Sequence, residues 1–202
     1  MRRTKEAADQ TRQEIIQAAL NTFSQRGFND TRLDDIACEA GITRGAIYWH
    51  FKNKADLYTR LVLESLSTYK LMLVEVSGNL DSPQKQLTQL NDLLLKDLGD
   101  NSPMLRLFWK QANSSDPIPT VLKDVHESMQ TFILEWDYQI EKLIQTGQED
   151  GSFRNDLAAT DLLILYKAFI WGLLDVTINH PTPFDIRDKV QQLKEIMLNI
   201  LT

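Results

Sequence analysis

One cysteine, three histidines and eight glycines in 202 residues are too few for several classes of function. Cys38 has no partner for an internal disulfide; it fits a reducing cytoplasm, where it reads as a small helix residue. His50, His126 and His180 lie far apart, and His126-Glu127 lacks the second histidine of a zinc-protease pattern. There is also no phosphate-cradling glycine loop and no nucleophile elbow. No catalysis, metal or cofactor is therefore expected. No apolar segment follows Arg2, Arg3 and Lys5, so no secretory leader is expected. Residues 162–178 are apolar nearly all round, but Lys167, Gly172, Asp175 and Thr177 interrupt them. That stretch is too short and too charged for a membrane span and is expected to be buried on two sides.

The chain does hold an ordinary globular mixture, 43% hydrophobic and 25% charged, with a net charge of −6. The charge is unevenly spread. Residues 1–60 carry ten Lys and Arg against eight Asp and Glu, leaving 12 basic and 20 acidic residues for the remainder. A basic head on an acidic body would orient itself on a polyanion, because phosphate attraction is local and screened beyond about 10 Å.

Apolar residues recur at helical spacing almost throughout, and no alternating strand pattern competes. Ile15, Ile16, Ala19, Leu20 and Phe23 predict a helix over residues 9–26 that stops at Gly27. Asn53 is placed to cap a long helix running toward Gly78. Further helices are expected over 83–98, 103–112, 117–146, 156–179 and 185–201, bounded by Gly, Asn, Ser and Pro. With the two short helices below, this is an all-α chain of about nine helices. Residues 1–53 are read as a three-helix head and 54–202 as a larger helical body.

Residues 31–57 carry the chemistry. Thr31 is placed to cap a short helix, with Asp34 reaching back to the cap amide. Leu33, Ile36 and Ala37 form its apolar stripe, and Gly41 supplies the turn. Thr43 then caps a second helix in which Ala46, Ile47 and Phe51 must face inward. Arg44, Gly45, Tyr48, Trp49 and His50 are left on or beside the outer face. This is a helix-turn-helix, and a helix start bearing Thr43, Arg44 and a glycine, followed by aromatic rings, suits close approach to a duplex.

The stretch Gly41-Ile-Thr-Arg-Gly-Ala-Ile-Tyr-Trp-His-Phe-Lys-Asn-Lys-Ala-Asp-Leu57 resembles the signature of TetR-family transcriptional repressors, and residues 3–16 resemble the AcrR-type branch that controls multidrug efflux pumps. The resemblance implies that Thr31, Tyr48, His50 and Lys54 hold phosphates. It also implies that Arg44 and the Gly45 backbone approach base edges, and that Trp49 packs on the sugar-phosphate wall. It implies that residues 1–53 bind a double-stranded operator and that 54–202 bind the effector and form a homodimer. With neither a leader nor a membrane span expected, the protein is placed in the cytoplasm, off the membrane. Ile186, Val190, Leu193 and Met197 follow at alternating spacings of four and three, an apolar seam suited to a second helix and assigned to the dimer interface.

The body is rich in rings. Phe108, Trp109, Phe132, Trp136, Phe169 and Trp171 either fill the core or line a concave site for an apolar or aromatic small-molecule effector. Asp175, inside an apolar run, must find a partner, across the dimer or in a ligand, or face solvent. A DNA-binding nucleoid protein without an effector is the alternative; a fully packed body would favour it.

Overall fold

The computed structural model describes residues 5–79, 82–113, 119–180 and 185–202. Among them are nine α-helices and no strand: α1 Lys5–Asp30, α2 Leu33–Glu39, α3 Arg44–Tyr48, α4 Lys54–Asn79, α5 Pro83–Gly99, α6 Pro103–Asn113, α7 Lys123–Glu149, α8 Ala159–Asn179 and α9 Val190–Asn199. The chain divides into two compact units, residues 1–67 with 103–128, and residues 68–102 with 129–202. Helices α4 and α7 contribute to both.

In the first unit the expected stripes meet. Ile15, Ala19 and Phe23 of α1, Ile36 of α2, Ile47 of α3, and Leu57, Leu61 and Val62 of α4 are all buried. Tyr58 stands edge-on to Phe23 at 5.0 Å and to Phe28 at 5.1 Å. Its hydroxyl donates to Gln111 of α6 at 2.9 Å, which satisfies the one polar atom this ring carries inward. The helix expected to stop at Gly27 is broken there, at φ 78° and ψ 174°, a conformation that suits a residue without Cβ.

The second unit packs α5, α8, α9 and the later parts of α4 and α7. Leu87, Leu95, Ile144, Leu162 and Met197 are fully buried, and the buried Tyr166 hydroxyl donates to Asn91 Oδ1 at 2.5 Å. Beyond α6, three expected helix starts move. The 117–146 helix begins at Lys123 after a 3₁₀ turn at Thr120–Leu122; Pro117 and Ile118 lie outside the described residues. α8 begins at Ala159, and upstream of it Asp156 is held by Arg154 through two contacts of 2.6 Å. The last helix is preceded by a 3₁₀ turn, Ile186–Lys189.

That last segment corrects the seam. α9 packs on α5, so Met197, with no exposed surface, and Ile186, at 8%, belong to the core of their own unit. Val190 and Leu193 are half-buried. The period shows that one face is apolar without showing which surface covers it. Among the described residues of these two helices, the large apolar side chains left exposed are Ile196 on α9 and Ile164, Leu165 and Val176 on α8; Leu71 and Val74 on α4 and Leu134 and Tyr138 on α7 are exposed as well.

No described helix is long and apolar enough to cross a membrane. Among the described residues, no three His, Cys, Asp or Glu side chains come together as metal ligands.

Candidate nucleic-acid interface

The short helix α3 is built from its ends. The Thr43 hydroxyl accepts from the Ala46 N–H at 3.3 Å, the cap expected from the sequence. Before it, Gly41 turns the chain at φ 65°, and the Ile42 N–H returns to the Ala37 carbonyl at 3.0 Å. Ile47 and Phe51 anchor the segment in the core, at 0% and 2% exposure. Every other side chain of α3 is left outside or only half-covered.

The outer row is Thr43, Arg44, Gly45, Tyr48 and Trp49, with His50 half-buried beside it. Trp49 is 90% exposed and Tyr48 48%, unusual for rings of this size. A Cβ on Gly45 would meet only the Thr43 hydroxyl at 3.8 Å. Nothing in the head itself requires a glycine there, and the backbone is open to a partner. Arg44 is held from two sides, 3.2 Å from Asp34 Oδ2 and 3.1 Å from the Tyr48 hydroxyl. The local pattern around Asp34 points only to helix capping. Its pairing with Arg44, ten positions on, crosses the turn and leaves no trace in such a pattern.

The cap of α2 differs from the expected one by one position. Arg32 is the N-cap, and Asp35 accepts its N–H at 2.8 Å. That bond, more than the Arg26 guanidinium nearby, holds the Asp35 carboxyl below its ordinary range. Thr31 is 1% exposed, and its hydroxyl donates to the Gly27 carbonyl at 2.7 Å.

Lys54 also turns inward. Its ammonium donates to the carbonyls of Phe28 at 2.7 Å, Thr31 at 2.9 Å and Asn29 at 3.3 Å, and sits 4.3 Å from the centre of the Phe28 ring. A cation at the end of α1 satisfies carbonyls that the broken helix leaves over, while burial lowers its pKa. Lys54→Met should therefore lower the urea midpoint by the equivalent of about 1–3 kcal/mol. Lys52→Met, at an exposed position, should leave it within error. Equal midpoints for the two variants would show that the three carbonyl bonds contribute nothing.

In the second unit Phe132 and Trp136, one turn apart on α7, lie 5.9 Å from centre to centre. Phe132 lines a cleft of about 460 Å³ with Lys70, Leu73, Val74, Glu135 and Gln139, and Lys70 pairs with Glu135 at 2.7 Å. A neighbouring cleft of about 250 Å³ includes Leu73, Val76, Leu90 and Ile140 in its lining. No motif or spacing points to Lys70 or Glu135. Phe169 and Trp171 are half-buried on α8 and line neither cleft. Phe108 and Trp109 belong to the first unit, where Trp109 is 7% exposed. Asp175 finds its partners locally. It accepts from Asn179 Nδ2 at 2.7 Å and lies 3.4 Å from His180 Nε2, with its side chain 43% exposed.

A family model for bacterial regulatory proteins of the tetR family matches residues 15–61, the stretch containing α2 and α3. The HTH-type transcriptional regulator AcrR of Shigella flexneri is 30% identical over 98% of this chain and 93% of its own length. TtgR, an HTH-type transcriptional regulator of Pseudomonas putida, is 31% identical over 100% and 96%. Among solved structures, NalD of Pseudomonas aeruginosa, the secondary repressor of the MexAB-OprM multidrug efflux pump, has the same fold. It matches with a TM-score of 0.66 and 24% identity, over 96% of this chain and 98% of that one.

Proposed function

The chain belongs to the TetR family of bacterial regulatory proteins, and from that premise we propose that it represses a multidrug efflux operon and is released from its operator by apolar aromatic compounds. The observation that carries the DNA half is the row Arg44, Tyr48 and Trp49, left outside a helix that is anchored inward by the buried Ile47 and, just past its end, Phe51. Arg44 and the Gly45 backbone approach base edges. Thr43, Tyr48 and His50 hold phosphates, and Trp49 lies on the sugar-phosphate wall. Thr31 and Lys54, whose polar atoms are engaged inside the head, set the ends of α1 and α4 behind this surface. Two copies joined through the exposed apolar side chains of α8 and α9 would place their α3 helices in successive major grooves about 34–36 Å apart. The chain would do so in the cytoplasm, where the operator is.

The effector half rests on the cleft beside Phe132 and Trp136. α4 gives Leu57, Leu61 and Val62 to the core of the head and Leu73 to the cleft. A ligand seated on Leu73 therefore acts on the same helix that frames the DNA surface. If it favours an α4 position unsuited to DNA, operator affinity falls, and linkage requires operator to weaken ligand binding by the same factor. Calorimetric titration with flat apolar amines and phenols, with and without operator DNA, tests this. Affinities that differ about five- to 150-fold between the two titrations are expected. Equal affinities would leave a binding cleft that is not the switch, and no binding at all would favour the regulator without an effector.

A further inference from the structure

Asp34 places an acid on a surface proposed to face phosphates. It projects from the first turn of α2 with its side chain 62% exposed, and its Oδ2 lies 3.2 Å from Nη1 of Arg44. From the other side, Nη2 of the same guanidinium donates to the Tyr48 hydroxyl at 3.1 Å, and the guanidinium carbon sits 5.7 Å from the centre of the Tyr48 ring. The fold does not need this acid, since the α2 cap amide is already taken by Asp35. A pair this exposed contributes little to stability. The acid sits beside the one guanidinium that heads α3.

We propose that Asp34 is a specificity residue, occupying Arg44 so that the guanidinium is withheld from phosphates of arbitrary sequence and engages DNA only where a base edge offers paired acceptors. The inference rests on Arg44 reading DNA, as proposed above. Against a backbone phosphate, Arg44 would exchange one anionic partner for another and leave the Asp34 carboxylate facing the phosphates, so the exchange gains little. Against the N7 and O6 of a guanine, the planar fork meets two acceptors at once. The Tyr48 contact keeps that fork oriented. Asp34 thus subtracts more from non-specific than from specific binding, which widens the ratio between them.

Two probes test this by fluorescence anisotropy over a range of salt: a duplex enriched from a randomised pool by the unaltered chain, and a shuffled duplex of the same composition. Asp34→Asn should bind the shuffled duplex about three- to tenfold more tightly, with a salt slope steeper by about 0.9 for one further counterion released. Its affinity for the enriched duplex should change by less than about twofold, so that discrimination falls. Asp34→Glu, which restores the acid, should keep the parent ratio, and Asp34→Ser repeats the test should the Asn variant fold poorly. An unchanged ratio, or an unchanged slope on the shuffled duplex, in a folded variant overturns the proposal. A parent chain that enriches no duplex overturns instead the DNA reading beneath it.

Discussion

Arg44→Ala is expected to bind operator DNA about 1–3 kcal/mol more weakly than the parent, roughly five- to 150-fold, and to unfold at the same urea concentration. The two halves of the result have separate causes. Arg44 is exposed and makes its contacts to exposed groups, Asp34 and Tyr48, and such pairs contribute about 0–1 kcal/mol to folding. Its backbone start to α3 is secured by the Thr43 cap rather than by its own side chain. On DNA the same guanidinium would be covered, and without its paired hydrogen bonds the base acceptors would be left unmatched and dry. The loss should be concentrated on the preferred sequence. Anisotropy on enriched and shuffled duplexes, paired with urea unfolding, reads both. A variant as tight as the parent on the enriched duplex would remove Arg44 from the interface. A shifted urea midpoint would show instead that Arg44 holds up the fold.

Gly147→Ala should destabilise the chain by about 1–3 kcal/mol, the reverse of the usual gain from replacing glycine inside a helix, which is about 1 kcal/mol. A Cβ at position 147 would fall 2.1 Å from Cδ2 of Phe153 and 2.7 Å from two further ring atoms. Phe153 is 4% exposed, so the ring cannot swing to solvent without giving up its own burial. The connection that carries it is fastened on several sides. The Phe153 N–H donates to the Gly147 carbonyl at 2.9 Å and the Arg154 N–H to the Leu201 carbonyl at 2.8 Å. The Gln148 amide donates to the carbonyls of Arg154 and Leu157 at 2.8 and 2.9 Å. Urea unfolding of Gly147→Ala, Phe153→Leu and the double variant measures the coupling. The double variant should lose less than the sum of the two single losses. A Gly147→Ala variant more stable than its parent would mean that the ring yields freely.

What can be read from the sequence divides by the separation of the residues involved. The Thr43 and Asn53 caps, the Gly41 turn and the Gly27 break each depend on neighbours within four positions, and each stands where it is expected. Lys54 reaches Phe28 across 26 positions, and Arg44 reaches Asp34 across ten. Both are surface-type residues whose partners are set by how α1, α2, α3 and α4 come together, which no local pattern encodes. Thr31 shows a related ambiguity: a hydroxyl at a helix boundary can serve the helix that follows or the one that ends, and here it donates back to Gly27. The α9 seam is legible as apolar, yet periodicity cannot tell α5 from a second copy of the chain. Composition alone cannot divide the six body rings between core and site; Phe132 lines a cleft beside Trp136, while Trp109 is buried core of the other unit.

Ile47 and Trp49 stand two residues apart, one with no exposed surface and the other 90% exposed, and this gives the segment two independent reasons to keep its sequence. A population of variants filtered only for folding would hold Ile47 and Phe51 almost fixed, because a cavity or a polar atom at either would be felt throughout the head. The same filter would be nearly blind to Trp49, Tyr48 and Arg44, and drift would soon replace a large ring that water scarcely tolerates. Only a filter that includes the partner would keep them. Comparing the survivors of the two selections would therefore separate what the head needs for itself from what it keeps for something else.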